Sequence, residues 1–462
     1  MTNSEGVATP DRIETATRLD RDQHGITVEL VDAAAMNVIT GLRDAGFEAL
    51  LVGGCVRDML LGIAPKDFDV ATDATPEQVS QVFRRTRLIG RRFRIAHVRF
   101  GREVIEVSTF RRQLDDEGEP AVNNRRELRG KDTALSAEGV ILRDNAWGRI
   151  DEDAFRRDFT VNALYYDPME EVLIDYLGGV NDLRHRRLKL IGKPAIRYRE
   201  DPIRIIRAIR FAAKLDFELD GATGTAIPET SHMLNEVAPA RLFDELCKLF
   251  LQGSAEQAWL LVRDLDLAET LFPDVELTDH VDELIVSAMR GTDERIRDGK
   301  PVTPGFLFAV LLWDTYLDRL LRHTEFSSLV EARDSASVEV LREQGEISSI
   351  PRRFSQFIRE VWLMQPRLEA REPKTLGRVL SHPRFRAAYD FLLLRAATGE
   401  VDQSLADWWT EYQELEGGEQ ATMRSALDPD KSRGRRRRRR RRSGDRPQTQ
   451  DVDGNKLDSA SS

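Results

Sequence analysis

The chain has 462 residues, 41% hydrophobic and 32% charged, a balance typical of a soluble globular protein with more than one domain. It has no apolar run that could cross a bilayer and no secretion signal, and Cys55 and Cys247 form no CxxC pair, which favours a cytoplasmic protein. The formal charge is −10, but without eight consecutive arginines near the C-terminus it would be −18, so we predict an acidic body with a basic tail.

The N-terminal third carries the pattern of an α/β unit. Residues 1–25 are polar and aperiodic, which predicts disorder. Helical spacing follows in residues 26–47, and a strand is predicted at 48–52. Next comes "GGCVRDMLLG", in which Gly53 and Gly54 predict a tight turn into a short helix that carries Arg57 and ends at Gly62. Such a turn lets the backbone approach a phosphate closely, although a plain strand–helix turn would explain it too.

Asp67 and Asp69 occur at alternate positions of the next predicted strand, "DFDVAT". Side chains alternate along a strand, so Phe68 and Val70 would pack on helices while the aspartates face an opening. Two carboxylates this close repel, and a divalent cation relieves that repulsion, which makes the pair a candidate Mg²⁺ site. The alternative is ordinary solvent-facing polarity.

Two further strands are predicted in "IAHVRF" and "EVIEVSTF". Glu106 lies on the face of its strand opposite Ile105 and Val107, so we expect it beside the aspartates if the strands are neighbours. Residues 113–139 are polar and rich in turn residues, which predicts a mobile loop. A hairpin from residue 162 to 179 is expected to end the head, which we place at residues 26–190.

Three charged residues, Arg156, Arg157 and Asp158, lead into that hairpin in "RRDFTVNAL". Arginine forks suit triphosphate oxygens, and a carboxylate suits a ribose hydroxyl or a metal ion, although a surface ion-pair cluster is the simpler alternative.

Helical periodicity dominates from residue 191 onward. We predict a helical neck at 191–255, a helical RNA-binding body at 256–420 and a disordered tail at 421–462. The neck begins with "EDPIR", in which Glu200 and Asp201 precede Arg204, the first of several arginines spaced three apart. Such a stripe needs anionic partners. The tail holds the arginine run, a predicted RNA-backbone contact whose alternative is a solubilising segment: Arg435, Arg436, Arg437, Arg438, Arg439, Arg440, Arg441 and Arg442.

Together the motifs "GGCVRD", "DFD", "IEVSTFR", "RRDFTVNAL" and "EDPIR" resemble the class II branch of the polymerase β-like nucleotidyltransferases, which contains bacterial poly(A) polymerases and CCA-adding enzymes. The resemblance implies an α+β head, with a small mixed or antiparallel sheet and helices on one face, followed by a mostly helical neck and body and a disordered basic tail. "LIGRRFRIAHVRFG" and the basic tail bring it nearest to the bacterial poly(A) polymerase I enzymes.

The resemblance also implies residue roles. Asp67 and Asp69 would bind Mg²⁺, with Mn²⁺ as the alternative ion, and Asp158 would be a third active-centre acid near the ribose; Glu106 is a candidate for a further metal-side carboxylate. Gly53, Gly54, Arg57, Arg156 and Arg157 would hold the triphosphate of ATP, and Glu200, Asp201 and Arg204 would face the base.

The expected reaction is template-independent addition of AMP to RNA 3′ ends, with ATP as substrate, RNA as partner and proteins of RNA decay as further candidates. Two alternatives stay open, a CCA-adding tRNA nucleotidyltransferase and a non-catalytic RNA-binding scaffold. The absence of a GxxxxGK[ST] motif excludes a P-loop NTPase.

Overall fold

The computed structural model describes residues 16–90, 94–112, 133–135, 141–144, 146–323 and 328–427. Within these ranges, a part built on a β-sheet precedes a part that consists almost wholly of helices. This arrangement confirms the predicted α+β head with a helical neck and body. Among the described residues, no helix combines the length and the apolar character that crossing a membrane requires.

Twelve strands are described, and eight of them form one sheet in the head. The strands are β1 (Thr17–Leu19), β2 (Ala49–Val52), β3 (Asp69–Thr72), β4 (Thr86–Ile89), β5 (Ile95–Phe100), β6 (Glu103–Thr109), β7 (Thr133–Leu135), β8 (Ile141–Asp144), β9 (Leu164–Asp167), β10 (Val172–Asp175), β11 (Arg187–Leu188) and β12 (Glu218–Leu219). The large sheet has the order β1–β10–β9–β2–β3–β6–β5–β4, whereas β7–β8 and β11–β12 form separate pairs. Within the large sheet as described, β3 and β6 run parallel and the other neighbours are antiparallel.

Six helices belong to the head: α1 (Arg21–His24), α2 (Ala33–Asp44), α3 (Gly54–Leu60), α4 (Pro76–Val82), α5 (Ile150–Arg156) and α6 (Gly179–Arg184). Capping residues fix where two of them begin. Asp32 accepts hydrogen bonds from the amides of Ala34 and Ala35, and Thr75 and Gln78 form a capping box at α4. Helices α2, α3 and α4 contribute to the main apolar core on one face of the sheet. The other face carries a smaller cluster, to which α5 contributes Ala154 and its neighbour Ile150.

The neck and body are formed by fifteen described helices: α7 (Pro194–Glu200), α8 (Ile203–Leu215), α9 (Gly221–Thr230), α10 (Pro239–Phe250), α11 (Ala255–Asp264), α12 (Ala268–Leu271), α13 (Asp279–Arg297), α14 (Pro304–Leu311), α15 (Trp313–Arg322), α16 (Leu329–Ile347), α17 (Arg352–Ala370), α18 (Leu376–Leu380), α19 (Phe385–Ala397), α20 (Gln403–Glu414) and α21 (Gly417–Ala426). Three 3₁₀ turns accompany the helices, at Val28–Leu30, Thr160–Asn162 and Ser231–Glu236. The main core runs without interruption from the sheet to α19, so the predicted boundaries between head, neck and body remain predictions.

The predicted disorder of residues 1–25 is wrong for part of that segment. Strand β1 pairs with β10, and α1 begins with a capping box at Asp20. These hydrogen bonds order the segment although its sequence shows only a weak hydrophobic pattern. The predicted tail also begins too early, because α21 continues to Ala426. The arginine run lies outside the described residues, as does most of the predicted loop, in which β7 is described.

Candidate active site

The parallel pair β3–β6 brings two carboxylates together. Asp69 is the first residue of β3 and lies directly opposite Glu106 in the register of the two strands. The next residues, Val70 and Val107, are buried in the main core, so Asp69 and Glu106 point to the other face of the sheet. The prediction that Glu106 neighbours the aspartate is therefore confirmed.

Asp67 does not lie on the strand, which corrects the prediction for this residue. Strand β3 begins only at Asp69, and Asp67 occupies an exposed bend before it. The three carboxylates nevertheless interact. Burial, and then the charge of Glu106, raise the pKa of Asp69 to about 6, with Arg157 lowering it and Asp67 adding a smaller increase. Ionisation of Asp69 is therefore costly in this environment.

A cavity of about 300 Å³ opens beside these carboxylates. Its lining combines acids and bases: Asp69 and Glu106 on the strands, Arg111 after β6, and Arg156 and Arg157 at the end of α5. Asp153 also lines it. The structure thus brings Asp69 and Glu106 to one cavity with Arg156 and Arg157, although the sequence separates them widely, whereas Asp67 and Arg57 are not among the residues described as lining it.

Two residues that the sequence reasoning missed hold Arg157 in place. Its guanidinium donates to Asp153 Oδ2 (2.9 Å from Nη2) and to the hydroxyl oxygen of Tyr165 (3.1 Å from Nε), and Tyr165 itself donates to Asp153 Oδ2 at 2.8 Å. Burial would raise the pKa of Asp153, but Arg157 and Arg156 outweigh it and lower that pKa. The spacing of Asp153 and Arg157, four apart on one helix, was the available signal.

The glycine turn leads from β2 into α3, as predicted. Gly53 has φ of +80°, a conformation that side chains rarely tolerate, and Gly54 begins the helix. Arg57 on that helix is buried, and it donates to Asn162 Oδ1 at 2.6 Å and to Asp58 Oδ1 at 2.6 Å. Arg57 is therefore already fixed by two partners from the head.

Asp158 lies apart from the cavity lining and is fully engaged. One carboxylate oxygen accepts from the amide of Phe159 (2.8 Å) and from Asn162 (3.1 Å), and the other accepts two hydrogen bonds from Arg207 of α8. Burial opposes ionisation, but Arg207 and these hydrogen bonds hold the pKa of Asp158 well below its ordinary value. Because Asn162 also binds Arg57, the network links the head to the neck.

The "EDPIR" residues meet arginines at the junction of α7 and α8. Glu200 Oε2 accepts from Arg204 at 2.8 Å and from Arg197 at 2.7 Å. Asp201 binds Arg241 of α10 through two bonds of 2.9 and 3.0 Å. Of the predicted arginine stripe, Arg204 pairs with Glu200 and Arg207 with Asp158, whereas the guanidinium of Arg210 lies over the ring of Phe211.

Arg197 is a second link that sequence reasoning missed. It is buried, and its Nη2 donates to the carbonyl oxygens of Arg156 (2.6 Å) and Arg157 (2.7 Å), while Nη1 binds Glu200. Burial, and then repulsion by Arg204, lower the pKa of Arg197 to about 10. The guanidinium thus joins the predicted triphosphate arginines to the predicted base-facing glutamate.

Three family models match the chain: "Poly A polymerase head domain" at residues 49–189, "Probable RNA and SrmB-binding site of polymerase A" at 216–278, and "Polymerase A arginine-rich C-terminus" at 326–443. The chain is 41% identical to poly(A) polymerase I of Salmonella typhimurium over 90% of its length and 89% of the relative's. It is 44% identical to the Haemophilus influenzae enzyme of that name, covering 84% of this chain and 85% of that one.

Among solved structures, the fold resembles that of the Thermotoga maritima CCA-adding enzyme complexed with tRNA. The TM-score is 0.59 at 21% identity, with 87% of this chain and 88% of that one covered. This likeness supports the fold, whereas the much higher sequence identity to the poly(A) polymerases extends over most of the chain. The chain therefore belongs to the bacterial poly(A) polymerase I family.

Proposed function

We propose that this protein transfers AMP from ATP to the 3′ end of RNA without a template and releases pyrophosphate. The observation that carries this proposal is the cavity in which Asp69 and Glu106 face Arg156 and Arg157. Phosphoryl transfer depends on positioning and on electrostatic stabilisation, and both are supplied where carboxylates and arginines face one ligand. The identity of 41–44% with poly(A) polymerases supports the same reaction.

Divalent cations fit the acidic wall of the cavity. Among the described residues no group of three or more histidine, cysteine or acidic side chains is arranged to hold a metal ion by itself. Mg²⁺, however, usually takes only one or two carboxylates and completes its shell with water and substrate phosphate. Asp67 and Asp69 would hold it, with Mn²⁺ as the alternative and Glu106 as a supporting acid. The bound ions would lower the pKa of the RNA 3′ hydroxyl and neutralise charge on the leaving pyrophosphate.

The remaining residues would orient the nucleotide across the head–neck junction. The triphosphate would lie against the Gly53–Gly54 turn and the guanidiniums of Arg57, Arg156 and Arg157. Asp158 would lie near the ribose, held ionised by Arg207. On the neck side, the side chains that would face the base are Glu200, Asp201 and Arg204. Because these side chains are already held by ion pairs, ATP would meet a preformed site.

The arginine tail, Arg435–Arg442, would add sequence-independent contacts to the RNA backbone. Such contacts would raise the local concentration of RNA near an acidic body. Proteins of RNA decay as partners, and the cytoplasm as the place of action, remain part of the proposal.

Incubating the purified protein with an unstructured oligoribonucleotide and each of the four NTPs separately tests the proposal. We expect ladders of added nucleotides with ATP and Mg²⁺, and none when the metal is chelated. Incorporation of CTP into a tRNA that lacks its 3′ end would instead favour a CCA-adding enzyme. RNA binding without incorporation of any nucleotide would leave only the scaffold alternative.

A further inference from the structure

The body contains a segment whose charge opposes that of the chain. The segment is residues 352–386, which contains helices α17 and α18. It holds nine arginines and lysines but only three acidic residues, in a chain with a net charge of −10. None of these residues belongs to the site in the head. A local concentration of positive charge on an acidic protein points to an anionic ligand.

Part of this charge surrounds a groove. A cavity of about 580 Å³ lies between α16, α17 and α18, and its floor is apolar, formed by Leu363, Met364 and Val379. Its rim is cationic, and the cations come from all three helices: Arg333 from α16, Arg367 from α17 and Arg378 from α18, with His382 beside them.

The three rim arginines have no ion-pair partner within the described part of the chain, unlike the arginines of the active site. Arg367 and Arg378 are exposed and Arg333 is half-buried. The groove has two acidic residues: Asp334, which is bound by Arg359, and the exposed Glu372. The rim therefore carries three cations against one acid, Glu372, that forms no ion pair in the described part of the chain.

The groove is connected to the neck by direct packing. Helix α16 contacts α10, and the amide of Ser349, just after α16, donates to the carbonyl oxygen of Pro239 at the start of α10. Helix α10 in turn packs on α8 and carries Arg241, which binds Asp201 of the predicted base pocket. Helix α16 thus runs from the groove, where Arg333 lies near its start, to the neck contact just after its end.

We propose that this groove, defined by Arg333, Arg367 and Arg378, binds the phosphate backbone of single-stranded RNA upstream of the reacting 3′ end. The proposal rests on the proposed function, which makes RNA the substrate. Among the residues that line the groove, His382 has the one ring on which a base could stack, so the contact is made mainly to phosphates and carries little sequence information. Three phosphate contacts would make RNA affinity steeply dependent on salt.

The test compares two triple variants with equal loss of charge. Arg333→Ala, Arg367→Ala and Arg378→Ala are combined in one variant. The control combines Arg290→Ala, Arg297→Ala and Arg342→Ala, which are exposed and line no part of the groove. Fluorescence anisotropy over a salt series measures the binding of an RNA of about 25 nucleotides, of one of about six nucleotides, and of a polyglutamate peptide. AMP addition to the short RNA is measured in parallel.

For the groove variant we expect weaker binding of the long RNA and a slope of log K against log salt that is smaller by about 2. AMP addition to the short RNA should stay at the wild-type level, which separates this proposal from the proposed function. Equal effects in both variants, or unchanged binding of the long RNA, would overturn the proposal. So would selective loss of polyglutamate binding, because the groove would then serve an acidic protein segment. Circular dichroism confirms that both variants are folded.

Discussion

The carboxylates of the sheet and those of the neck junction carry the same charge but have opposite surroundings. Asp69 lies beside Glu106 and Asp67, and burial with these like charges raises its pKa to about 6. Asp158 is buried as well, but Arg207 and two hydrogen-bond donors hold its pKa well below the ordinary value. At Asp69, burial and the like charges outweigh the attraction of Arg157, whereas at Asp158 the attraction of Arg207 and the hydrogen bonds outweigh burial.

This difference suggests a distinction between acids that would bind a ligand and acids that hold the surrounding structure in place. A carboxylate whose counter-ion is an arginine gives little to an incoming cation, since that bond would have to be broken first. Asp69 and Glu106 form no ion pair with an arginine among the described residues, although His97 Nε2 lies 3.1 Å from Glu106 Oε1, so a bound cation would relieve their repulsion. The comparison favours the proposal that the β3–β6 pair would hold the cations and that the contacts between α5, α7 and α8 would position the substrate.

The largest effect is expected for Asp69→Asn. The substitution keeps the shape of the side chain but removes the charge that would hold the cation, so AMP addition should fall by at least about 1,000-fold, or about 4 kcal/mol. Rates of primer extension measure this loss. Asp264→Asn, which alters an exposed acid paired with Arg263, is the control and should retain full activity. Comparable rates for both variants would mean that the sheet carboxylates are not the reacting centre.

Asp158→Asn should act on stability instead. It leaves Arg207, whose side chain is 34% exposed, without its counter-ion; because solvent screens a partly exposed charge, the cost should be at most about 3 kcal/mol of unfolding free energy. Urea denaturation measures the cost. Adding Arg207→Gln in the same chain should recover part of it, because no charge is then left alone. If the double variant is no more stable than the sum of the single losses predicts, the pair is not coupled.

The pH dependence of stability should distinguish Asp69 from Asp158 as well. Because the folded pKa of about 6 lies above that of an ordinary aspartate, the folded protein keeps a proton that the unfolded chain has released. The stability of the wild type relative to Asp69→Asn should therefore fall by up to about 3 kcal/mol as pH rises from 4 to 6, and then stay constant. Denaturation without metal at several pH values tests the sign, and an increase over this range would contradict it.

The smallest expected effect concerns Arg197→Lys. An ammonium cannot reproduce the fork that joins Arg156 and Arg157 to Glu200, so the KM for ATP should rise about tenfold while kcat changes less. Arg199→Lys is the matched control, since Arg199 is two residues away on the same helix and exposed. An equal change in both variants would indicate that the link between triphosphate and base residues has no role in binding.

The fold was predictable where one local signal was strong. Alternation placed Ile105 and Val107 on the buried face and Glu106 on the other, and the Thr75–Gln78 pair marked the start of α4. The ordered β1 was missed because a three-residue edge strand has too few side chains to show a period, and its pairing partner is far away in sequence.

The site was predictable as a set of motifs but not as a set of contacts. Asp158 and Arg207 are distant in sequence, and no local pattern tells which of several arginines will meet that carboxylate. Asp153, Tyr165 and Arg197 were missed for the same reason, since their roles depend on how α5, β9 and α7 pack. The predicted residues could be found from their resemblance to family motifs. The residues that hold them in place could be found only once the packing of the elements was known.

The parallel pairing of β3 with β6 also sets an order of assembly. Parallel neighbours cannot be joined by a tight turn, and here α4, β4 and β5 lie between them along the chain. Closing such a non-local contact is slower than forming a hairpin. A chain emerging from the ribosome therefore carries both aspartates long before it has Glu106 beside them or the arginines of α5 across from them. Nucleotide capture must wait until most of the head has been synthesised.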